Sequence, residues 1–306
     1  MESSLPKSLL VLSFFLFLFV HLLPLCSAKK SLLTTYHKGP LLTGDVNLSV
    51  LWYGQINPIQ KSAIKTFIQS LNNDHNVSFE PRVSSWWNIV ESYQTVANKS
   101  LKKSPKITVK AVKEIDDDKY SIGKVLNDDS LAGLVQKASG RTPNTVAVIF
   151  AANDVTVKDS CSEWCFLHGA IGKQVYIVVG NPENECPSTC AWPFHRSENG
   201  ALGLTLDPPS GDEGTDSMIV HFASALAATI TNPYETGFFG GLSDKPLEAT
   251  TACKGVFGTG AFPGYTGKVR VDPRSGGGFN AHGLNNARFL LPAVWNPKNS
   301  SCWTLM

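Results

Sequence analysis

The chain lacks three features that define large classes of protein: a large net charge, a membrane-spanning hydrophobic run after residue 28, and internal repeats. Its formal net charge is only +2 at pH 7 over 306 residues, which is too small for the electrostatic footprint of a nucleic-acid-binding protein. After residue 28, no apolar run is long enough to cross a bilayer. Internal repeats and Pro- or Gly-rich arrays are also absent, which argues against a purely structural wall protein. The composition, with 42% hydrophobic residues, is that of a globular protein.

The common catalytic motifs are missing as well. Neither the G-x-S-x-G nucleophile elbow nor the G-x-x-x-x-G-K-[ST] phosphate loop occurs. The stretch MIVHFASALAATITNPYETGFF has the outline of a zinc-peptidase helix, but H-E-x-x-H is replaced by His221 followed by Phe222 and, at the second ligand position, Ala225. One imidazole cannot hold a catalytic zinc, which takes about three protein ligands. We therefore expect no catalytic residue, no metal and no cofactor, and interpret the protein as a non-enzyme.

The first 28 residues have the pattern of a secretory signal peptide. Lys7 precedes an apolar run from residue 9 to 25, and Cys26-Ser27-Ala28 supplies the small residues that favour cleavage after Ala28. We expect a secreted protein of the extracellular space, apoplast or cell wall, with no membrane span after cleavage of the signal.

Export determines how the cysteines and the N-x-S/T motifs are interpreted. Of seven cysteines, Cys26 leaves with the signal, and the even set that remains predicts three disulfides with their pairing left open. No free thiolate is then left for a cysteine nucleophile. The disulfide candidates are Cys161, Cys165, Cys186, Cys190, Cys253 and Cys302. The N-glycosylation candidates are Asn47, Asn76, Asn98 and Asn299.

Strand and helix patterns alternate along much of the chain. Strands are predicted at residues 45–54, 106–114, 145–152 and 175–180, and helices at 56–71, 84–98, 130–138 and around His221. The last two strands are continuous apolar runs, typical of central strands covered on both faces. This order predicts an α/β fold with a central, mostly parallel or mixed sheet flanked by helices.

The chain is predicted to divide into three parts. They are a signal peptide at 1–28, an α/β domain at 29–236, and a coil-rich C-terminal extension at 237–306 that packs on the same domain and is tied by Cys253 and Cys302. The order of elements before the His221 helix is also that of a zincin-like fold. By fold-level analogy alone, the scaffold is interpreted as a degenerate, zincin-like peptidase.

Aromatic and histidine residues near the cysteines are candidates for a binding surface, because a loop held by disulfides can pre-organise a polar site. His168, His195 and His282 are all expected in loops. The candidate binding residues are Trp164, His168, Trp192, Phe194, His195 and Tyr265.

Five stretches resemble the EXORDIUM family of plants, also called phosphate-induced proteins. They are YHKGPLLTGDVNLSVLWYG, CPSTCAWPF, TNPYETGFF, PLEATTACKGVFGTGAFPGYTGKVRVD and FLLPAVWNPKNSSCWTLM. The resemblance covers essentially the whole mature chain and is strongest to EXORDIUM-like members. It implies a secreted protein of the apoplast, associated with cell expansion and with brassinosteroid- or carbon-dependent growth, and it supplies no active site. The stretch PFHRSENGALGLTLDPPSGDEGTDSM is more acidic and Ser-rich than the family leads us to expect.

Two functions follow as alternatives. The first is a non-catalytic extracellular protein that modulates growth by binding a cell-wall polysaccharide, a peptide or a receptor ectodomain. The second is a metal-dependent hydrolase or peptidase with ligands other than H-E-x-x-H, for which His221, Glu248, His195 and His282 are the candidates.

Overall fold

The predicted mixture of strands and helices is present in the computed structural model, which describes residues 33–139, 144–161, 165–197, 204–242 and 245–305. The strands in chain order are β1 (Thr35–Tyr36), β2 (Asp45–Tyr53), β3 (Thr108–Asp117), β4 (Val125–Leu126), β5 (Thr145–Ala151), β6 (Thr156–Val157), β7 (Phe166–Ile171), β8 (Gln174–Gly180), β9 (Phe238–Leu242), β10 (Lys245–Leu247), β11 (Arg270–Val271), β12 (Gly278–Phe279), β13 (Ala281–His282), β14 (Arg288–Phe289), β15 (Val294–Asn296) and β16 (Ser301–Trp303). The helices are α1 (Pro58–Leu71), α2 (Val83–Glu91), α3 (Tyr93–Ala97), α4 (Asp128–Ala138), α5 (Pro187–Cys190) and α6 (Glu213–Thr231), with 3-10 turns at Thr251–Cys253 and Leu284–Asn286.

The central sheet is mixed. Its strand order is β3-β2-β5-β8-β7. The first four of these strands run parallel, and β7 pairs antiparallel with β8 at one edge. All residues of β5 are buried, because helices and the C-terminal segment cover both faces. The predicted α/β class is therefore correct, and the antiparallel edge strand makes the sheet mixed rather than wholly parallel.

Local sequence explains the helices that flank the sheet. Asn57 caps α1, since its side chain accepts a hydrogen bond from the Ile59 amide (2.6 Å), and Pro58 occupies the first helical position. The predicted helix at 84–98 is interrupted at Ser92, whose hydroxyl donates to the Ile89 carbonyl (2.7 Å) and competes for the helical hydrogen bonds. Among the described helices, none has the length and hydropathy needed to span a bilayer.

The segment after residue 237 has little regular structure but shares the main hydrophobic core through Ala249, Phe289 and Leu291. Asn280 supplies hydrogen bonds that a strand would otherwise provide. Its amide donates to the carbonyls of Phe257 and Leu291 (2.8 Å each), and its Oδ1 accepts from the Leu291 amide (2.8 Å). A buried asparagine therefore satisfies main-chain groups in a segment with few ladders.

All six predicted disulfide cysteines are paired. The pairs are Cys161–Cys186, Cys165–Cys190 and Cys253–Cys302, with Cα–Cα distances of 5.9, 5.5 and 5.7 Å. The first two bonds join the chain at the start of β7 to the short helix α5, and the third ties the 3-10 turn Thr251–Cys253 to β16 near the C-terminus.

The four N-glycosylation motifs lie in different environments. Asn76, Asn98 and Asn299 are exposed. Asn47 lies in β2 between two paired strands, and the next two residues, Leu48 and Ser49, are fully buried. A glycan needs an accessible loop, so the position of the half-buried Asn47 within the sheet disfavours a glycan there, and glycosylation at the other three sites stays a prediction.

Asp216 is a buried carboxyl group in the first turn of α6, only 3% exposed. Its Oδ2 accepts hydrogen bonds from the main-chain amide (2.8 Å) and the hydroxyl (2.7 Å) of Ser210. Burial raises the pKa of Asp216 to about 7, against the opposing effect of these hydrogen bonds. In an unfolded chain the pKa of Asp is about 3.9. This group thus contributes stability that is fully present below about pH 4 and is lost as the pH rises through about 7.

Asp216→Asn is expected to remove this pH dependence, because the amide oxygen can still accept both hydrogen bonds and never ionises. The variant should match the wild type near pH 4 and exceed its unfolding free energy near pH 8, by up to about 1.4 kcal/mol per unit of the pKa difference. Urea unfolding of both proteins between about pH 4 and pH 8 measures this. A difference between them that is the same at every pH would contradict the prediction.

Candidate functional site

A cavity of about 340 Å³ lies over helix α6. Its lining mixes aromatic rings, hydroxyl groups and one lysine, and the described residues that form it include no carboxylate. The cavity is bounded by the start of β7, by helix α5 with the loop after it, by α6 and by the segment 250–257. The lining residues are Cys165, Phe166, Ser188, Thr189, Trp192, Ser197, Val220, His221, Ser224, Thr250, Thr251, Cys253, Lys254, Gly255, Phe257 and Pro292.

A second cavity of about 420 Å³ continues from the first and shares Trp192, Ser197, Lys254 and Gly255 with it. It extends to the turn that begins at Phe262. We call the two cavities together the groove. Gly255 has a φ of +77°, a conformation that favours glycine, and a Cβ at this position would contact the Trp192 ring at 3.7 Å. The ring of Trp192 therefore stands where the two cavities meet.

Helix α6 carries the cavity-lining histidine. Asp212 caps the helix by accepting a hydrogen bond from the Thr215 amide (2.6 Å). The Nε2 of His221 lies 2.6 Å from the Cys190 carbonyl oxygen, which can only accept, so Nε2 carries the proton. Burial lowers the pKa of His221 to about 4. His221 is therefore a neutral imidazole at any pH well above about 4, and its hydrogen bond to Cys190 holds it in one tautomer.

Phe222 and Ala225, at the other two defined positions of H-E-x-x-H, are packed in the core and do not line the cavity. Phe222 is fully buried, with its ring centroid 5.1 Å from that of Phe150 in β5 and 6.0 Å from that of Phe67 in α1. Ala225 is also fully buried. The position at which a zincin has its general base thus packs against the central sheet, as core.

Two disulfides position the wall opposite α6. Cys165 precedes β7, and its partner Cys190 ends α5 and presents the carbonyl that His221 binds. Cys161–Cys186 lies beside it along the same two segments. Cross-links of this kind restrict the loops that they join, so the Trp192 loop, which follows Cys190 directly, is held at the groove.

The six candidate binding residues are not all brought together. Trp192 lines the groove, and Tyr265 is half-buried against Phe262 at its end. The prediction that Phe194 belongs to a binding surface is wrong, because the residue is only 6% exposed and packs with Val220 in a buried hydrophobic cluster. Trp164 lies outside the described residues.

The histidines also differ from their predicted positions. His168 was expected in a loop but lies in strand β7, where its side chain is buried and its Nε2 is 2.7 Å from Oε2 of Glu248. Burial alone lowers the pKa of His168, but the Glu248 carboxylate outweighs it and the net shift is upward. His195 does lie in a loop, with Nδ1 3.0 Å from a carboxylate oxygen of Glu213. His282 lies in β13 rather than in a loop, against Phe279.

The hydrolase candidates are therefore engaged in separate contacts. Glu248 binds His168 and Asn232, His221 binds a carbonyl, and His195 binds Glu213. Within the described ranges, no group of three or more His, Cys, Asp or Glu residues is placed to hold a metal ion.

Several groove residues carry no signal in the sequence. Ser224, Thr250, Thr251 and Lys254 line the first cavity, but isolated hydroxyl residues and a single lysine are not distinguishable from ordinary surface or helix residues. Their proximity depends on how α6 and the C-terminal segment pack together.

The fold and the groove together define a disulfide-linked α/β protein with a groove over a buried helix. Residues 34–305 match the family described as phosphate-induced protein 1 conserved region. The chain is 39% identical over 315 residues to Protein EXORDIUM of Arabidopsis thaliana, a match that covers 97% of this chain and 99% of that protein. It is 40% identical over 279 residues to Protein EXORDIUM-like 1 of Arabidopsis thaliana (88% of this chain, 89% of that protein). To Protein PHOSPHATE-INDUCED 1 of Nicotiana tabacum it is 37% identical over 310 residues (95% and 97%).

No solved structure matches the chain significantly. The chain belongs to the EXORDIUM, or phosphate-induced protein, family, as its sequence motifs predicted.

Proposed function

We propose that this protein is a secreted, non-catalytic binding protein of the apoplast that modulates cell expansion by holding an extracellular wall or receptor component in the groove. Membership of the EXORDIUM family supports the role in growth, in a pathway dependent on brassinosteroid or on carbon status. The signal-peptide pattern and the three disulfides support secretion. The groove is the observation that carries the binding role.

The chemistry of the groove suits binding. The Trp192 ring offers a flat apolar surface at the junction of the two cavities. Thr250, whose hydroxyl makes no hydrogen bond within the described part of the chain, also lines the first cavity. A concave, mainly apolar site with a few polar groups is the usual form of a ligand site. The groove therefore favours a binding protein over an enzyme, which would need a complete set of catalytic residues.

The same features support a degenerate, zincin-like scaffold as part of the proposal. Helix α6 follows the sheet, lies beneath its antiparallel edge and carries His221 at the groove. Phe222 and Ala225 are packed as core where a zincin has catalytic groups. The scaffold would thus retain the cleft of a peptidase while lacking the residues for chemistry.

Trp192→Ala is expected to weaken ligand retention about thirtyfold, because a central aromatic residue typically contributes about 2 kcal/mol or more to binding. The mature protein from a secretory host is applied to immobilised pectin, to immobilised hemicellulose and to beads bearing proteins of apoplastic fluid. Phe79→Ala is the matched control, because Phe79 is an aromatic residue that is 60% exposed and lines neither cavity.

Two results would contradict the proposal. One is retention that Trp192→Ala and Phe79→Ala leave equally unchanged, which would remove the groove as the site. The other is about one zinc per chain in protein purified without chelator, together with peptidase activity, which would favour the metal-dependent hydrolase.

A further inference from the structure

One ring nitrogen of His221 is an unused hydrogen-bond acceptor at the groove. The Nε2 of His221 carries the proton and binds the Cys190 carbonyl, so Nδ1 keeps its lone pair and can only accept a hydrogen bond. Nδ1 receives no hydrogen bond from the described residues, and it retains some accessible surface although the residue is only 9% exposed. Because His221 lines the first cavity, a ligand that covers Nδ1 has to donate to it or leave a buried acceptor unpaired.

The same cavity has an unsatisfied hydroxyl group. Thr250 is 3% exposed and lines the cavity, and its Oγ1 is buried without a hydrogen-bond partner in the described part of the chain. Ser224 also lines the cavity, but its hydroxyl already donates to the Val220 carbonyl (3.0 Å). A hydroxyl can both donate and accept. The fold therefore leaves an acceptor and a hydroxyl for a ligand, and hydroxyl groups of a ligand can pair with both.

The described residues of the groove favour a neutral occupant. Lys254 is the charged side chain among them, and it already has an interaction partner. Burial keeps His221 neutral by lowering its pKa to about 4. A carboxylate can only accept hydrogen bonds, so it cannot satisfy Nδ1. Its desolvation in the cavity would also need an opposite charge to offset it. An acidic group is therefore disfavoured beside His221.

Two aromatic surfaces lie along the groove. Trp192 stands at the junction of the two cavities, and Phe262, which is 51% exposed, lines the second cavity with its ring centroid 5.1 Å from that of Tyr265. A pyranose ring has an apolar face of C–H groups and a rim of hydroxyls, so it can stack on an aromatic ring while its rim makes hydrogen bonds. A chain of sugars repeats that face along its length, whereas an extended peptide alternates its side chains between two sides.

We propose that the groove holds a neutral polysaccharide chain, with sugar rings stacked on Trp192 and Phe262 and a sugar hydroxyl donating to Nδ1 of His221. This inference rests on the proposed function and chooses one of its occupants, because the unpaired polar atoms of the first cavity call for hydroxyl groups. Trp192 and Phe262 supply affinity, and His221 sets the specificity by rejecting a group that cannot donate.

The test measures retention of the mature protein on immobilised xyloglucan and mannan, which are neutral, and on polygalacturonate, which is acidic. His221→Gln and His221→Asn separate the roles of the two ring nitrogens. The glutamine amide nitrogen can take the place of Nε2 and keep the bond to the Cys190 carbonyl, but no acceptor then replaces Nδ1. The asparagine amide oxygen can take the place of Nδ1, but the bond to Cys190 is lost. Urea unfolding of both variants measures their stability.

The wild type is expected to bind at least one neutral polymer about tenfold more tightly than polygalacturonate. His221→Gln should weaken that binding about tenfold and unfold close to the wild-type midpoint. His221→Asn should unfold at a lower urea concentration and yet bind better than His221→Gln, whereas a merely structural role for His221 would give the reverse order of binding. Phe262→Ala should weaken binding about tenfold or more, as the loss of a stacking surface does.

The proposal is overturned if His221→Gln binds the neutral polymers as tightly as the wild type, if polygalacturonate is bound at least as tightly as they are, or if no polysaccharide is retained. The failure of this inference is distinguishable from failure of the proposed function. Trp192-dependent retention on polygalacturonate alone, or on the beads bearing apoplastic proteins alone, would overturn the neutral polysaccharide and retain the groove as the site. The absence of Trp192-dependent retention on every matrix would overturn both.

Discussion

Glu248→Ala is expected to destabilise the folded protein by about 3–5 kcal/mol, the usual cost of removing one partner of a buried ion pair. Glu248 is 3% exposed. Its Oε2 lies 2.7 Å from Nε2 of His168, and its Oε1 accepts from the amide of Asn232 at the end of α6 (2.7 Å). Its own main-chain N–H donates to the Thr251 hydroxyl (2.7 Å). Truncation would leave a buried imidazole and a buried amide without their acceptor.

Urea unfolding of the variant measures this loss, and a double-mutant cycle with His168→Ala isolates the pair, for which a coupling of about 0.5–3 kcal/mol is expected. Glu213→Ala is the matched control, because its partner His195 is 42% exposed and such pairs contribute about 1 kcal/mol or less. Equal losses in the two variants would contradict the prediction.

The contribution of the pair should also depend on pH. Because the pKa of His168 is raised in the folded state, its stabilising effect should be complete below the unfolded pKa of about 6.5 and decline as the pH rises through the folded value.

Phe222→Ala is expected to cost about 3–5 kcal/mol, the usual range for emptying a buried phenylalanine site. The ring is fully buried between Phe150 of the sheet and Phe67 of α1, so the side chains around it cannot easily close the cavity. The substitution therefore tests whether α6 rests on the sheet through the position at which a zincin has its general base.

Ser224→Ala is the control for this prediction, since Ser224 lies on the same helix but lines the groove, and its hydroxyl donates only to the Val220 carbonyl within the helix (3.0 Å). We expect it to change the unfolding free energy by less than about 1 kcal/mol. Similar losses for the two variants in chemical denaturation would show that the two faces of α6 are not distinct.

Much of the fold follows from local pattern. The apolar run of β5, the amphipathic α1 and the long apolar helix at His221 were all predictable, because periodicity records which side chains are buried. The strand β7 was not predictable, because its short and irregular sequence, FLHGAI, resembles a loop. Phe194 was misinterpreted for a related reason: an aromatic residue beside a cysteine indicates either a binding surface or core.

The sequence by itself determined the family, the six cysteines that pair, the main strands and the lack of an H-E-x-x-H motif at His221. The tertiary structure decided which cysteines join, that His168 meets a glutamate 80 residues away, and that Trp192, His221 and Thr250 line one cavity. The physical reason is the range of the forces involved. Burial leaves a periodic trace along the chain, whereas contacts between distant segments arise only when the elements pack, and no local pattern records them.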